Sequence, residues 1–138
     1  MLVFIYGILI VGKIVISTNN SPKAIGPYSQ AINVKGSLTY TSGQIPINLK
    51  GEMISDIFEE QVVQVLKNIE GILIERNRKL NDIVKLTVFM IDLSNFEKLN
   101  KIFEIYFQDT CFPARSVVEV SKLPKNSQVE IEAIFYDE

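Results

Sequence analysis

An arginine set just after a rigid Phe-Pro pair is the residue of this chain best placed to do chemistry. Arg115 lies in the run Cys111-Phe112-Pro113-Ala114-Arg115-Ser116-Val117-Val118-Glu119-Val120, which reads as a turn followed by a β-strand. A guanidinium fixed at a strand mouth is a planar fork for a carboxylate or a phosphate. A second strand follows within a few residues and carries Glu130 and Glu132, carboxylates able to pair with an arginine.

Composition narrows what else is open. The chain has 138 residues, no histidine and one cysteine. Without histidine there is no Ser-His or Cys-His nucleophile, no imidazole base and no His-containing zinc site. Cys111 has no partner for an internal disulfide, which fits a reducing compartment, and with no basic neighbour closer than Arg115 a reactive thiolate is unsupported. Net charge is -2 and the sequence pI is about 5.3, so nothing favours nucleic acid. No phosphate loop, dinucleotide fingerprint or metal-ligand spacing occurs, and no cofactor or metal is expected. Two further segments, Gly26-Pro27-Tyr28 and Ser42-Gly43-Gln44, are small, polar and set at strand ends, where either site residues or plain turn chemistry belong.

The elements that must position these residues follow from periodicity. Apolar content of 47% over this length predicts one domain, residues 13–138. Residues 1–12 form an uncharged apolar extension, shorter than the roughly 20 residues of a membrane span and lacking the flanks of a secretory signal. It reads as an added strand or an upstream translation start, against the alternative of targeting or membrane association, and a cytoplasmic location without a membrane partner is expected. Residues 13–17 read as a short strand, and residues 28–34 and 37–42 as a hairpin about Lys35-Gly36. Residues 56–76 carry Phe58, Val62, Val65, Ile69 and Ile72 at helical spacing, with Ser55 or Asp56 to cap the start and Asn77 as a left-handed stop. Asn68 in that helix either anchors backbone or faces water. Residues 83–91 are apolar on both faces and predict a central strand. Ser94-Asn95-Phe96-Glu97 has the form of a capping box opening a second helix, with Phe96, Leu99, Phe103 and Tyr106 as its stripe. Tyr40 and Tyr106 are expected in the core. Strands over residues 115–121 and 128–136 close the chain, and the order predicts an α+β sandwich of two layers, a mixed sheet with two helices on one face.

Strand alternation places Arg115, Val117 and Glu119 on one face and Ser116, Val118 and Val120 on the other. In the last strand Glu130, Glu132 and Ile134 oppose Val129, Ile131, Ala133 and Phe135. With the helices covering the apolar faces, Arg115, Glu119, Glu130 and Glu132 are expected together on the helix-free side. Val117 and Ile134 among those charges leave two readings: a solvated face of cross-strand ion pairs, or a face buried against another copy of the chain.

Several separate motifs resemble the RidA (YjgF) family. They are Ala24-Ile25-Gly26-Pro27-Tyr28-Ser29-Gln30-Ala31, Thr41-Ser42-Gly43-Gln44-Ile45-Pro46, Phe112-Pro113-Ala114-Arg115-Ser116 and Val129-Glu130-Ile131-Glu132-Ala133. The segments Gln64-Val65-Leu66-Lys67-Asn68-Ile69 and Asp82-Ile83-Val84-Lys85 also match, so the resemblance runs from about Lys13 to the end. It implies a fold like that of the trimeric bacterial chorismate mutase, with three subunits joined through their helix-free faces and active sites in the clefts between them. It also implies a deaminase that hydrolyses 2-aminoacrylate, 2-iminobutyrate and similar imino acids to 2-keto acids and ammonia. On that resemblance Arg115 grips the substrate carboxylate, Glu130 positions the attacking water and Tyr28 lines the cleft. Ser42 and Gly43 supply polar and backbone contacts, Asn100 sits close by, and the backbone at Val117 meets substrate.

The chain departs from the family at Val117, where many relatives carry cysteine, which puts thiol-dependent regulation in doubt. Asn77 stands where a glycine commonly ends the first helix. The reading of different class is a trimer that binds small carboxylates with little turnover. An endoribonuclease or translation inhibitor is disfavoured by the absent histidine and the acidic pI.

Overall fold

A computed structural model describes residues 12–138. The elements are β1 (Lys13–Ile16), β2 (Ala31–Val34), β3 (Leu38–Tyr40), α1 (Phe58–Glu75), β4 (Ile83–Met90), α2 (Phe96–Tyr106), β5 (Ala114–Glu119) and β6 (Val129–Tyr136). Four strands form one mixed sheet in the order β3-β6-β4-β5, antiparallel except for the parallel pair β4 and β5. The two helices cover one face, so the expected two-layer α+β arrangement holds. The apolar extension, apart from Gly12, lies outside the described residues. Among the described residues no helix is long and apolar enough to cross a membrane.

The hairpin about Lys35-Gly36 does not form. β2 pairs with β1 in a separate antiparallel ladder, Lys13 opposite Val34, while β3 pairs with β6. A two-residue hairpin wants positive φ at its first central position, which Asn, Asp or Gly supplies and Lys does not. Gly36 alone takes φ 128° and turns the chain away from β2. The buried Lys13 ammonium donates to the carbonyls of Asn81 (2.8 Å) and Ile83 (2.7 Å), tying the ladder to the start of β4.

Helix α1 buries Phe58, Val62, Val65, Leu66, Ile69 and Leu73 against Leu86, Val88 and Met90 of β4 and Val129, Ile131, Ala133 and Phe135 of β6. Each such large side chain contributes about 1.5–3 kcal/mol on leaving water. Neither proposed cap takes the N-cap position, which is Ile57. The Ser55 hydroxyl accepts from the Ile57 N–H instead (3.0 Å), and buried Gln61 reaches back to the Ser55 carbonyl (2.8 Å). Asn77 does end the helix at φ 55°, with Arg78 N–H donating to Leu73 C=O and Asn77 N–H to Ile74 C=O, a Schellman pairing. The box predicted at Ser94 and Glu97 is replaced by an earlier device. Asp92 accepts from Ser94 N–H (2.9 Å), and a short 3-10 turn over Leu93–Asn95 leads into α2.

Asp137, just past β6, accepts from Thr39 (2.6 Å) and from Arg76 (2.8 Å), fastening the ends of β3 and α1 to the sheet. The Thr39 hydroxyl first, and then Arg76, hold its carboxyl below the usual range. A depressed carboxyl lends stability above its unfolded pKa of about 4 and loses it as pH falls. Asp137→Asn is therefore expected to lower the thermal midpoint at neutral pH, with the gap from wild type closing progressively as pH falls below about 4, which a melting series against pH checks.

Candidate functional site

The parallel pairing of β5 with β4 decides where Arg115 points. Arg115 lies opposite Leu86, Val117 opposite Val88 and Glu119 opposite Met90, and all three β4 residues are fully buried under the helices. Arg115, Val117 and Glu119 therefore lie on the helix side. The expectation that they share the open face with Glu130 and Glu132 is corrected. Val117 packs against the core, and Glu119 accepts from Leu93 N–H (2.8 Å) at the approach to α2. Val118, expected inside, is exposed on the open face, where Glu130 and Glu132 flank the half-exposed Phe89 and Thr87 of β4. Tyr40, expected in the core, is 68% exposed, whereas Tyr106 is half-buried and donates to Glu70.

Around Arg115 the chain builds an aromatic box. Phe96, Asn100 and Phe103 stand at i, i+4 and i+7 of α2 and so share one face. The Arg115 Cζ lies 5.1 Å from the Phe103 ring centroid, 5.7 Å from Phe96 and 5.6 Å from Tyr28. Tyr28 is held there because Ser29 N–H donates to Pro113 C=O (3.0 Å) and the Ser29 hydroxyl bonds Phe112 C=O, laying the loop along the entry to β5. Gly26 closes the box, its position for a Cβ being 3.6 Å from Arg115 Nη2, Asn100 Nδ2 and Tyr28.

Within this box the guanidinium is under-satisfied. Nη2 donates to Asn100 Oδ1 at 2.8 Å, while Nη1 is buried without a hydrogen-bond partner among the described residues. No carboxylate pairs with Arg115 among the described residues. Burial pushes its pKa down from the usual arginine range, although a guanidinium stays charged at any ordinary pH. A desolvated cation with a spare donor and no counter-ion is strongly inclined to take an anion. The Val120 N–H donates to Met90 C=O (2.8 Å), so alternation turns the Val117 N–H away from β4 to the outer edge of β5. That donor lies two residues from the arginine on its own strand.

The second group of predicted residues assembles elsewhere. Thr41 N–H donates to Ala133 C=O and Gln44 N–H to Ile131 C=O, so three steps along the β3 extension match two along β6. The extra residue makes Ser42-Gly43 a β-bulge opposite Glu132. Gly43 lies against Glu130, and a Cβ there would overlap the carboxylate oxygen and stand 2.8 Å from its Cδ. Asn68 anchors the segment beyond the bulge, donating to Ile45 C=O (3.1 Å) and Ile47 C=O (3.0 Å). Since the obstructing atoms are the end of a flexible side chain, Gly43→Ala is expected to displace Glu130 rather than unfold the chain. A melting point within a few degrees of wild type and about a hundredfold loss of any Glu130-dependent turnover are the expected readouts.

The structure thus sorts the predicted residues into two separate clusters. Arg115, Tyr28, Asn100 and the Val117 backbone form one, on the helix side at the edge strand. Glu130, Ser42 and Gly43 form the other, at the open face. Sequence reasoning missed Phe96 and Phe103 as walls of the arginine box, although their spacing with Asn100 carried the signal.

Comparison with known proteins agrees along the same span. The family model described as Endoribonuclease L-PSP matches residues 18–136. A RutC family protein of Pyrococcus abyssi is 48% identical over 127 residues, covering 91% of this chain and 98% of its own. The 2-iminobutanoate/2-iminopropanoate deaminase of Escherichia coli is 47% identical over 122 residues, covering 86% and 94%. The crystal structure of E. coli TdcF with bound serine superposes with a TM-score of 0.70 at 38% identity, covering 90% and 98%.

Proposed function

Because this chain belongs to the RidA/YjgF family, the family whose model is described as Endoribonuclease L-PSP, we propose that it hydrolyses short 2-imino acids to 2-keto acids and ammonia. The observation that carries the reading is the half-buried Arg115, which has no carboxylate partner among the described residues and whose Nη1 makes no hydrogen bond. A substrate carboxylate on Nη1 and on the Val117 N–H supplies the missing counter-ion by charge-assisted hydrogen bonds. Tyr28 covers that contact, and Asn100 keeps the fork in place from behind.

Glu130 acts from the other cluster. Its carboxylate orients a water and accepts its proton as the oxygen attacks the imine carbon. Glu130 then passes its proton to the nitrogen, the carbon–nitrogen bond breaks to release ammonia, and the hydroxyl proton of the tetrahedral intermediate goes to the freed carboxylate as the oxygen becomes the keto carbonyl. The step is redox-neutral, and an iminium is already electrophilic, so positioning supplies most of the catalysis. In one chain the sheet separates Arg115 from Glu130. A site using both takes Arg115, Tyr28 and Asn100 from one copy, and Glu130, Ser42 and Gly43 from its neighbour, in a homotrimer. The open face around Phe89, Val118 and Tyr40 is the surface such an assembly buries.

The direct test generates 2-iminobutanoate in situ with a threonine dehydratase and follows 2-ketobutanoate release. Acceleration by catalytic amounts of the protein is expected. Release at the uncatalysed rate, with the protein binding 2-ketobutanoate, would leave the small-carboxylate binder as the reading.

A further inference from the structure

We propose that Phe96 is a positioning and specificity residue: its ring orients Arg115 and forms the apolar wall beside the bound carboxylate, so the site takes small monocarboxylates with uncharged side chains and rejects dicarboxylates. This deepens the deaminase reading and rests on it only for the identity of the reaction.

Three observations support the assignment. Of the three rings around the guanidinium, Phe103 is fully buried and belongs to the core, while Phe96 is 38% exposed at the first turn of α2. Phe96 lies 5.7 Å from Arg115 Cζ, one helical turn from Asn100, which holds Nη2. The two residues fix the fork together, Asn100 through one nitrogen and Phe96 through the face of the cation. Nη1 is left as the free donor inside an apolar surround.

The consequence for selectivity is steric and electrostatic. A carboxylate paired with Arg115 brings its α-substituent to within a few ångströms of the guanidinium, where the side of the cleft formed by the arginine's own chain is aromatic. The rings of Tyr28, Phe96 and Phe103 offer no second cation, and the described residues show no further lysine or arginine paired into this box. A methyl or ethyl group on the ligand gains apolar contact there. A second carboxylate is desolvated without a partner and is penalised.

The test measures binding apart from turnover. Wild type, Phe96→Leu, Phe96→Tyr and Arg115→Ala are titrated with 2-ketobutanoate and with oxaloacetate, and kcat and KM for 2-iminobutanoate are measured alongside. Phe96→Leu is expected to weaken 2-ketobutanoate about fivefold, the loss of one aromatic–cation contact. It should also narrow the preference over oxaloacetate, with the change falling in KM rather than kcat. Phe96→Tyr, which keeps the ring, should bind as wild type does. Equal affinities and an unchanged preference in Phe96→Leu, at wild-type thermal stability, would overturn the assignment. If wild type binds 2-ketobutanoate through Arg115 yet hydrolyses no imine, the deaminase reading fails alone, and the Phe96→Leu ratio still decides this inference. Wild type that binds neither acid overturns this inference, and the deaminase reading falls with it if no imine is hydrolysed.

Discussion

Arg115→Ala is expected to lower kcat/KM for 2-iminobutanoate by about a thousandfold, because breaking a buried charge pair costs about 3–5 kcal/mol. The half-buried arginine lies among Phe96, Phe103 and Tyr28, with Asn100 its single hydrogen-bond partner among the described residues, so its interaction with a ligand is screened less than that of a surface pair. Arg115→Lys keeps the charge but loses the fork, and a loss of about a hundredfold is expected there too. The stability readout runs the other way. In the empty site the cation is desolvated without a counter-ion, so Arg115→Ala should melt at or above the wild-type temperature. Function lost while stability is kept or raised marks a residue held for a ligand rather than for the fold. A variant that melts well below wild type, or one with wild-type turnover, contradicts the assignment.

Mixing two inactive variants is expected to restore activity. Arg115 projects toward α2, and Glu130 projects from the opposite face of the same sheet, with β4 lying between their strands. A site that needs both must draw them from two copies. When Arg115→Ala and Glu130→Gln chains are unfolded together and refolded at equal amounts, a cleft works if the arginine donor is the Glu130→Gln copy and its neighbour is the Arg115→Ala copy. Random closed assembly makes that about one cleft in four, so about a quarter of wild-type turnover should return, from parents each reduced a hundredfold or more. A mixture no more active than its parents would place both groups in one chain and defeat the shared cleft. Light scattering on the refolded mixture reports the assembly state in the same sample.

The elements themselves were largely legible. α1 showed in the spacing of Phe58, Val62, Val65 and Ile69, its stop showed in Asn77, and β4 stands in the middle of the sheet as its two apolar faces implied. The failures share one cause. The Lys35-Gly36 hairpin, the Ser94 capping box and the buried Tyr40 rest on local pattern, and each is overruled by a partner distant in sequence or by the face it lands on. β6 took β3, Asp92 and Glu119 took the start of α2, and the open face took Tyr40.

By itself the sequence determined the chemistry available and the alternation along each strand. It excluded histidine-based catalysis and marked Arg115, Tyr28, Ser42, Gly43, Asn100 and Glu130. Only the tertiary structure decided which of the two alternating sets on β5 faces the helices. A period of two defines a pair of faces without orienting them, and a one-residue change of register exchanges them. On β5 that choice was made by parallel pairing with β4 across the intervening helix, which set Arg115 opposite Leu86 and in reach of α2. The most polar residue of the strand went under the helix layer because Phe96, Asn100 and Phe103 were there to pack around it, leaving its Nη1 amino group without a hydrogen-bond partner among the described residues.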